Sequence, residues 1–174
     1  MCKQSFPPVL LTRPAVQSAR FAQVLERQFP GIAVHHAPLI APEFLQATLP
    51  DRAFAAVIFT SETGVEGFRR VMRGDRPHLP RMAFCVGGRT AEAARRAGFE
   101  AISAEGDVHA LEALIRASAP QGPLLHVRGE DAAGDLVGSL KKAGLETESL
   151  VVYAQRPQPL ASAARALLAA PGKV

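Results

Sequence analysis

The segment Ala56-Val57-Ile58-Phe59-Thr60-Ser61-Glu62-Thr63-Gly64 joins a short apolar run to hydroxyl-bearing residues and a glycine. Such a run is typical of a buried strand, and a helix is predicted after it over 64–72. The same order recurs along the chain on both sides. Further strands are predicted at 9–12, 32–34, 83–86, 101–103, 124–127 and 149–153, and further helices at 19–28, 90–97, 108–118, 135–143 and 160–170. Strands that alternate with helices of about ten residues predict an α/β fold with a mainly parallel sheet.

The first predicted helix is amphipathic. Phe21, Val24 and Leu25 follow the i, i+3, i+4 spacing that places side chains on one apolar face. The stretch between residues 38 and 56 contains Pro42 and Pro50 and is predicted to be a loop. The sequence therefore predicts seven strands in all.

Composition and charge exclude several classes of protein. The chain has 174 residues, a net charge of +4 and 48% hydrophobic residues, which is too apolar for a disordered chain. No apolar run approaches the roughly 20 residues of a membrane span, and the N-terminus lacks the apolar region of a signal peptide. Two cysteines, Cys2 and Cys85, form no disulfide framework. We therefore expect a reduced, cytoplasmic protein with no membrane association.

The basic balance fits either an ordinary surface or a positive cleft that holds a polyanionic small molecule. No segment combines clustered basic residues with aromatic ones, so nucleic acid is not an expected partner. The sequence also lacks a phosphate-binding P-loop, a dinucleotide-binding glycine fingerprint and a nucleophile elbow. An enzyme of this kind would act by binding and shaping a reactive substrate.

The histidines do not predict a metal site, because no two of them share a helix at i, i+4 spacing. His126 lies within an apolar strand and is expected to be buried with its hydrogen bonds satisfied. The loop at 60–64 also looks like the phosphate loop of flavodoxins, but the absence of tryptophan argues against a flavin. The full set of histidines is His35, His36, His78, His109 and His126.

Four predicted strands end in loops with a related composition. Ligands of open α/β sheets bind at the carboxyl ends of strands, and the free N–H groups of a helix N-terminus suit anions. Each loop alone could simply cap a helix, with Thr60, Ser61 or Thr90 as the N-cap. Together they favour a face that binds carboxylates. The loops are Thr12-Arg13-Pro14, Thr60-Ser61-Glu62-Thr63-Gly64, Gly87-Gly88-Arg89-Thr90 and Arg128-Gly129-Glu130-Asp131.

In their order along the chain, these loops and the segments around them resemble the uroporphyrinogen-III synthase family. The resemblance implies two flavodoxin-like parallel-sheet domains joined by a two-stranded connection. Residues 1–38 would begin domain 1, residues 39–150 would form a complete domain 2, and residues 151–174 would return to a domain 1 that is only partly present. The matching segments are Leu10–Pro14, Ala37–Ile40, Phe59–Val65, Val86–Ala91, Leu125–Glu130 and Val151–Tyr153.

Against the family's pattern, about 60–90 residues of domain 1 are expected to be absent, because each further βαβ unit takes about 30 residues. Three explanations remain open: a natural truncation, an artefact of the gene, or a partner chain that completes the sheet. An unfinished domain would leave apolar surface bare, so self-association or poor solubility is expected.

The resemblance further implies a lyase of heme and tetrapyrrole biosynthesis that needs no metal or cofactor. Its substrate would be hydroxymethylbilane, a linear tetrapyrrole rich in carboxylates, which is cyclised to uroporphyrinogen III with loss of water and inversion of ring D. Tyr153 would be the catalytic residue that helps the hydroxyl group leave, or else a packing residue at the hinge. The residues implied in substrate binding are Thr12, Arg13, Thr60, Ser61, Gly64, Thr90, Arg128 and Gly129.

Two alternatives remain open from the sequence. The chain could be a synthase-like protein that binds a tetrapyrrole or a partner protein without turnover. It could also be an unrelated flavodoxin-like binding module.

Overall fold

The computed structural model describes residues 6–72, 79–131 and 134–169, so that Cys2 and His78 lie outside the described residues. Strands and helices alternate, which confirms the predicted α/β class with parallel-dominated sheets. The strands are β1 (Val9–Leu11), β2 (Val34–His36), β3 (Ile40–Phe44), β4 (Ala56–Phe59), β5 (Met82–Cys85), β6 (Glu100–Ser103), β7 (Leu124–Gly129) and β8 (Thr147–Pro157). The helices are α1 (Ala15–Gln28), α2 (Glu62–Val71), α3 (Gly88–Arg96), α4 (Val108–Ser118), α5 (Leu136–Lys142) and α6 (Ser162–Ala169).

The chain divides into two compact units. The first unit is Met1–Pro42 with Gln155–Val174, and the second unit is Glu43–Ala154. The changes between units therefore lie at 42/43 and 154/155, where the sequence predicts domain boundaries at 38/39 and 150/151. The predicted domains themselves stay a prediction, since compactness does not show independent folding.

The first unit contains a two-stranded parallel sheet in which Val9 pairs with Val34. Helix α1 buries Ser18 and Ala22, whereas Phe21 and Val24 are 41% and 43% exposed. The predicted apolar face is therefore wrong for these two side chains. The sheet of β1 and β2 is narrow, so that only part of the surface of α1 can pack against it. The small side chains of Ser18 and Ala22 occupy that part and let the helix lie close to the sheet. The predicted self-association stays a prediction.

The larger sheet has six strands in the order β3-β8-β7-β4-β5-β6. Neighbouring strands from β8 to β6 run parallel. Strand β3 corrects the sequence analysis, which predicted a loop around Pro42 and seven strands where the described residues contain eight. Proline cannot donate to a strand ladder but is tolerated at a sheet edge, and β3 is an edge strand.

Helices cover both faces of the larger sheet and bury β4 completely. On one face Phe59 packs edge-on against Phe68 of α2 and Phe99, in a cluster that also includes α3. On the other face Ile58 packs with side chains of α4 and α5, including Leu111. A sheet buried on both faces is the usual state of parallel strands. The same packing fixes the ends of β4, β7 and β8, where several of the predicted site residues lie.

Candidate functional site

Ser61 and Tyr153 bring the ends of β4 and β8 together. Ser61 is the N-cap of α2, and its Oγ accepts a hydrogen bond of 2.9 Å from the backbone N–H of Gly64. The same Oγ lies 3.1 Å from the hydroxyl oxygen of Tyr153, with either group able to donate. The prediction that Ser61 caps a helix is therefore confirmed, and its hydroxyl also has a partner on a distant strand.

Gly64 and Gly129 allow this close approach because they lack side chains. A Cβ atom on Gly129 would lie 2.7 Å from Cζ and 3.0 Å from the hydroxyl oxygen of Tyr153. A Cβ atom on Gly64 would lie 3.3 Å from both the Oγ of Ser61 and the carbonyl oxygen of Val127. The tyrosine ring therefore rests directly on the backbone of Gly129. Glycine is required at both positions because a Cβ atom has too little room, and not because the backbone adopts a conformation that favours glycine.

A β-bulge places Tyr153 beside Gly129. Along β7 and β8 the register pairs Arg128 with Val151 and then Gly129 with Tyr153, which leaves Val152 as an extra residue of β8. Bulges re-aim side chains and increase local twist, and they are common beside functional sites. The backbone N–H of Glu130 donates to the carbonyl oxygen of Tyr153 at 2.8 Å and closes the strand end.

The side chain of Arg128 is half-buried and donates hydrogen bonds to neighbouring residues of the protein. Its Nε donates to the Oγ of Ser149 at 2.7 Å. Its Nη1 donates to the carbonyl oxygens of Gly129 at 3.0 Å and Glu130 at 2.9 Å. Sequence reasoning missed Ser149, which lies in a strand and carries no motif that would single it out.

Thr60 and Thr90 are not helix caps. Thr60 directly follows β4, one residue before the N-cap, and is half-buried. Thr90 is the third residue of α3 and is buried, while the N-cap is Gly87, which has no side chain to cap with. The predicted helix start at Thr90 is therefore two residues late. A Cβ atom on Gly88 would lie 3.2 Å from Oε1 of Glu105, so a carboxylate of the chain itself lies beside the first turn of α3.

Thr12 and Arg13 belong to the first unit, where both are exposed after β1. The carbonyl oxygen of Thr12 accepts a hydrogen bond from the N–H of Leu39 at 3.0 Å. That of Arg13 accepts one from the Oγ of Ser18 at 2.8 Å. Within the second unit the structure joins Ser61, Gly64, Gly129 and Tyr153 in one arrangement, with Arg128 bonded to its backbone.

His126 contradicts the expectation that its hydrogen bonds are satisfied. It is 5% exposed, and neither ring nitrogen has a partner in the part of the chain that the structure describes. Burial, followed by the positive charge of Arg128, lowers the pKa of His126 to about 4. Burial likewise raises the pKa of the Cys85 thiol to about 12. Cys85 is therefore a poor nucleophile in the folded chain.

Metal-binding clusters and membrane-spanning helices are both absent from the described ranges. No cluster of three or more His, Cys, Asp or Glu side chains there could hold a metal ion. No helix among the described residues is both long enough and apolar enough to span a membrane.

Comparison with known proteins adds a family and a fold. The sequence profile of the family described as uroporphyrinogen-III synthase HemD matches residues 19–174. The structure of uroporphyrinogen-III synthetase from Helicobacter pylori 26695 is similar with a TM-score of 0.63 and 15% identity, over 95% of this chain and 70% of that one. A mutant uroporphyrinogen III synthase from Thermus thermophilus is similar with a TM-score of 0.59 and 18% identity, over 88% of this chain and 64% of that one. No curated protein sequence matches. At these identities the structural likeness concerns the fold alone.

Proposed function

Because the chain belongs to the uroporphyrinogen-III synthase HemD family, we propose that it cyclises hydroxymethylbilane to uroporphyrinogen III. The observation that carries the proposal is the pair of hydroxyl groups of Ser61 and Tyr153, 3.1 Å apart at the N-terminus of α2. A reaction that begins with the loss of a hydroxyl group needs a hydrogen-bond donor at the departing oxygen. Family membership also removes the alternative of an unrelated binding module.

The proposed reaction starts with loss of water from the hydroxymethyl group of the substrate. The resulting azafulvene is electrophilic, and the substituted α-carbon of ring D attacks it to form a spiro-pyrrolenine. Breakage of one bond of this intermediate and closure at the other α-carbon invert ring D. The net change is one water molecule lost and one macrocycle closed. Closure without inversion gives the type I isomer, so the protein must hold the chain of rings in one shape.

Tyr153 is proposed to donate to the departing hydroxyl group, and Ser61 to support it. A serine oxygen has one hydrogen to donate and two lone pairs, and the N–H of Gly64 uses one of the lone pairs. When the hydroxyl group of Ser61 donates to Tyr153, the hydrogen of the tyrosine is free to point at the substrate. The same bond then stabilises negative charge on the phenol oxygen as its proton leaves. The two hydroxyl groups form a short relay at the strand ends.

The carboxylates of the substrate are proposed to bind where strands end and helices begin. Free backbone N–H groups and the positive end of a helix dipole at the start of α2 favour an anion. Thr60 and Gly64 lie at this end of the second unit, as does Gly129, whereas Thr90 lies in the first turn of α3. Thr12 and Arg13, which follow β1, are proposed as further contacts.

A coupled assay tests the proposal directly. Hydroxymethylbilane is generated in place, the chain is added, and the ratio of isomers is read after oxidation to porphyrins. We expect an excess of the type III isomer over the blank. Tyr153→Phe should lose about 10²-fold or more of this rate, as expected for the loss of a proton donor. Ser61→Ala should lose less, since the phenol remains.

Ser118→Ala is the matched control, because Ser118 is exposed at the end of α4 and its Oγ donates to the carbonyl oxygen of Leu114 in its own helix at 2.8 Å. Its isomer ratio should equal that of the native chain. Formation of the type I isomer alone would overturn the proposed turnover. If hydroxymethylbilane nevertheless changes the fluorescence of Tyr153, the chain binds a tetrapyrrole without converting it.

A further inference from the structure

Arg128 directs its hydrogen bonds to the turn of backbone at the end of β7. Its guanidinium group contacts Ser149 of β8 on one side and the carbonyl oxygens of Gly129 and Glu130 on the other. We propose that Arg128, together with Ser149, is a positioning residue that sets where the hydroxyl group of Tyr153 lies. This inference rests on the proposed function, because it assigns a task within the site of that reaction.

The bonds of Arg128 need the shape of a guanidinium group as well as its charge. Nε donates to Ser149 at 2.7 Å, while Nη1 donates to Gly129 at 3.0 Å and to Glu130 at 2.9 Å. These donors lie in one rigid plane and point in fixed directions. Hydrogen bonds from a charged donor are roughly twice as strong as neutral ones. A lysine ammonium on its flexible stem would keep the charge but could not hold the same three oxygens.

Tyr153 packs against the same turn of backbone. The ring lies so close to Gly129 that an added Cβ would approach Cζ to 2.7 Å, and the N–H of Glu130 donates to the tyrosine carbonyl oxygen at 2.8 Å. The bulge leaves Val152 out of the ladder, so ordinary strand pairing is interrupted here. The guanidinium group of Arg128 therefore holds the backbone at Gly129 and Glu130, where the ladder between β7 and β8 is irregular.

A displaced backbone at Gly129 would move the tyrosine ring with it. The hydroxyl group of Tyr153 is 3.1 Å from Ser61, and a side-chain hydrogen bond is lost by about 3.6 Å. A shift of a few tenths of an ångström at the turn is thus enough to break the hydroxyl pair. Geometry of this kind explains why an arginine follows Val127 without any role as a ligand for substrate carboxylates.

The competing role for Arg128 is a cation that binds a carboxylate of the substrate. That role needs a positive charge and does not need Ser149. A positioning role needs both the planar group and the serine hydroxyl group. Arg128→Lys and Ser149→Ala therefore separate the two roles, and Ser149→Ala removes only an exposed hydroxyl group. Arg116→Lys is the matched control, since Arg116 is an exposed arginine on α4 paired with Glu112.

The chain itself supplies the readout. It contains one tyrosine and no tryptophan, so tyrosine fluorescence and labelled tyrosine ring signals in NMR spectra come from Tyr153 alone. We expect both Arg128→Lys and Ser149→Ala to shift the ring signals and change the fluorescence in the absence of substrate. Arg116→Lys should leave both unchanged. Far-UV circular dichroism checks that each variant is folded, and Ser149→Ala decides the question if Arg128→Lys does not fold.

The coupled assay gives the second readout. A displaced proton donor should lower kcat by up to about 10²-fold in Arg128→Lys with KM changed less than about twofold. Unchanged Tyr153 signals in both variants, or a raised KM with the native kcat, would overturn the positioning role. If the native chain makes no type III isomer, the proposed function fails, while the spectra of Tyr153 still decide the role of Arg128.

Discussion

Replacing His126 with leucine should make the chain less sensitive to acid. The imidazole is buried in β7 between Ile58 and Ser149 on the neighbouring strands, and neither nitrogen has a partner among the described residues. Burial and then the charge of Arg128 lower its pKa to about 4, whereas an unfolded histidine has a pKa of about 6.5. Between these values the unfolded chain binds a proton that the folded chain does not. The free energy of unfolding therefore falls as the pH falls through this window.

The size of the effect follows from the two pKa values. At about 1.4 kcal/mol per pKa unit the full loss is about 3 kcal/mol, reached below about pH 4. Roughly 2 kcal/mol of it is present at about pH 5 and almost none at about pH 7.5. His126→Leu removes this proton-linked loss. It also replaces two unpaired buried nitrogens, so its stability at neutral pH should equal or exceed that of the native chain.

Urea denaturation at about pH 7.5 and pH 5 measures the difference. The native chain should lose roughly 2 kcal/mol more than His126→Leu between the two conditions, because other titrating groups contribute equally to both proteins. His109→Gln is the control, since His109 is exposed on α4, and it should retain the acid sensitivity of the native chain. Equal losses in the native chain and in His126→Leu would refute the reasoning.

Three further outcomes are expected. Gly129→Ala should cost about 1–3 kcal/mol of unfolding free energy and change the fluorescence of Tyr153, because the added Cβ collides with the ring. Gly87→Ala is the control and should leave the fluorescence unchanged, because its added Cβ meets nothing within 4 Å. Equal spectra for the two variants would contradict the packing argument. Asp107→Ala should lower the thermal midpoint by removing the acceptor for two N–H groups at the start of α4, and Asp107→Asn should restore most of it; equal midpoints for all three proteins would speak against the cap. In a variant without the other cysteine, the thiol of Cys85 should resist maleimide at neutral pH until the chain is unfolded, and labelling of the folded chain, measured by mass spectrometry, would show that the thiol is accessible.

Local sequence was sufficient for the elements whose signals are strong. Strand β4 has the predicted bounds because it is a continuous apolar run, and α4 has them because Asp107 caps it before a regular apolar period. Strand β3 was missed because Pro42 and Glu43 interrupt its apolar residues, so that it has no such run. Its place at the sheet edge, which makes proline acceptable, depends on strand order and is not written in the local sequence.

The sequence alone determined the α/β alternation and the hydroxyl-bearing residues at the strand ends, because these features act within a few residues. Only the tertiary structure decided which of those residues meet. Ser61 and Tyr153 are 92 positions apart, and Arg128 is 21 positions from Ser149. Their contacts depend on strand order, on the register of β7 and β8, and on one bulge. A shift of one residue in a strand turns its side chains to the other face, so no local propensity can fix such contacts.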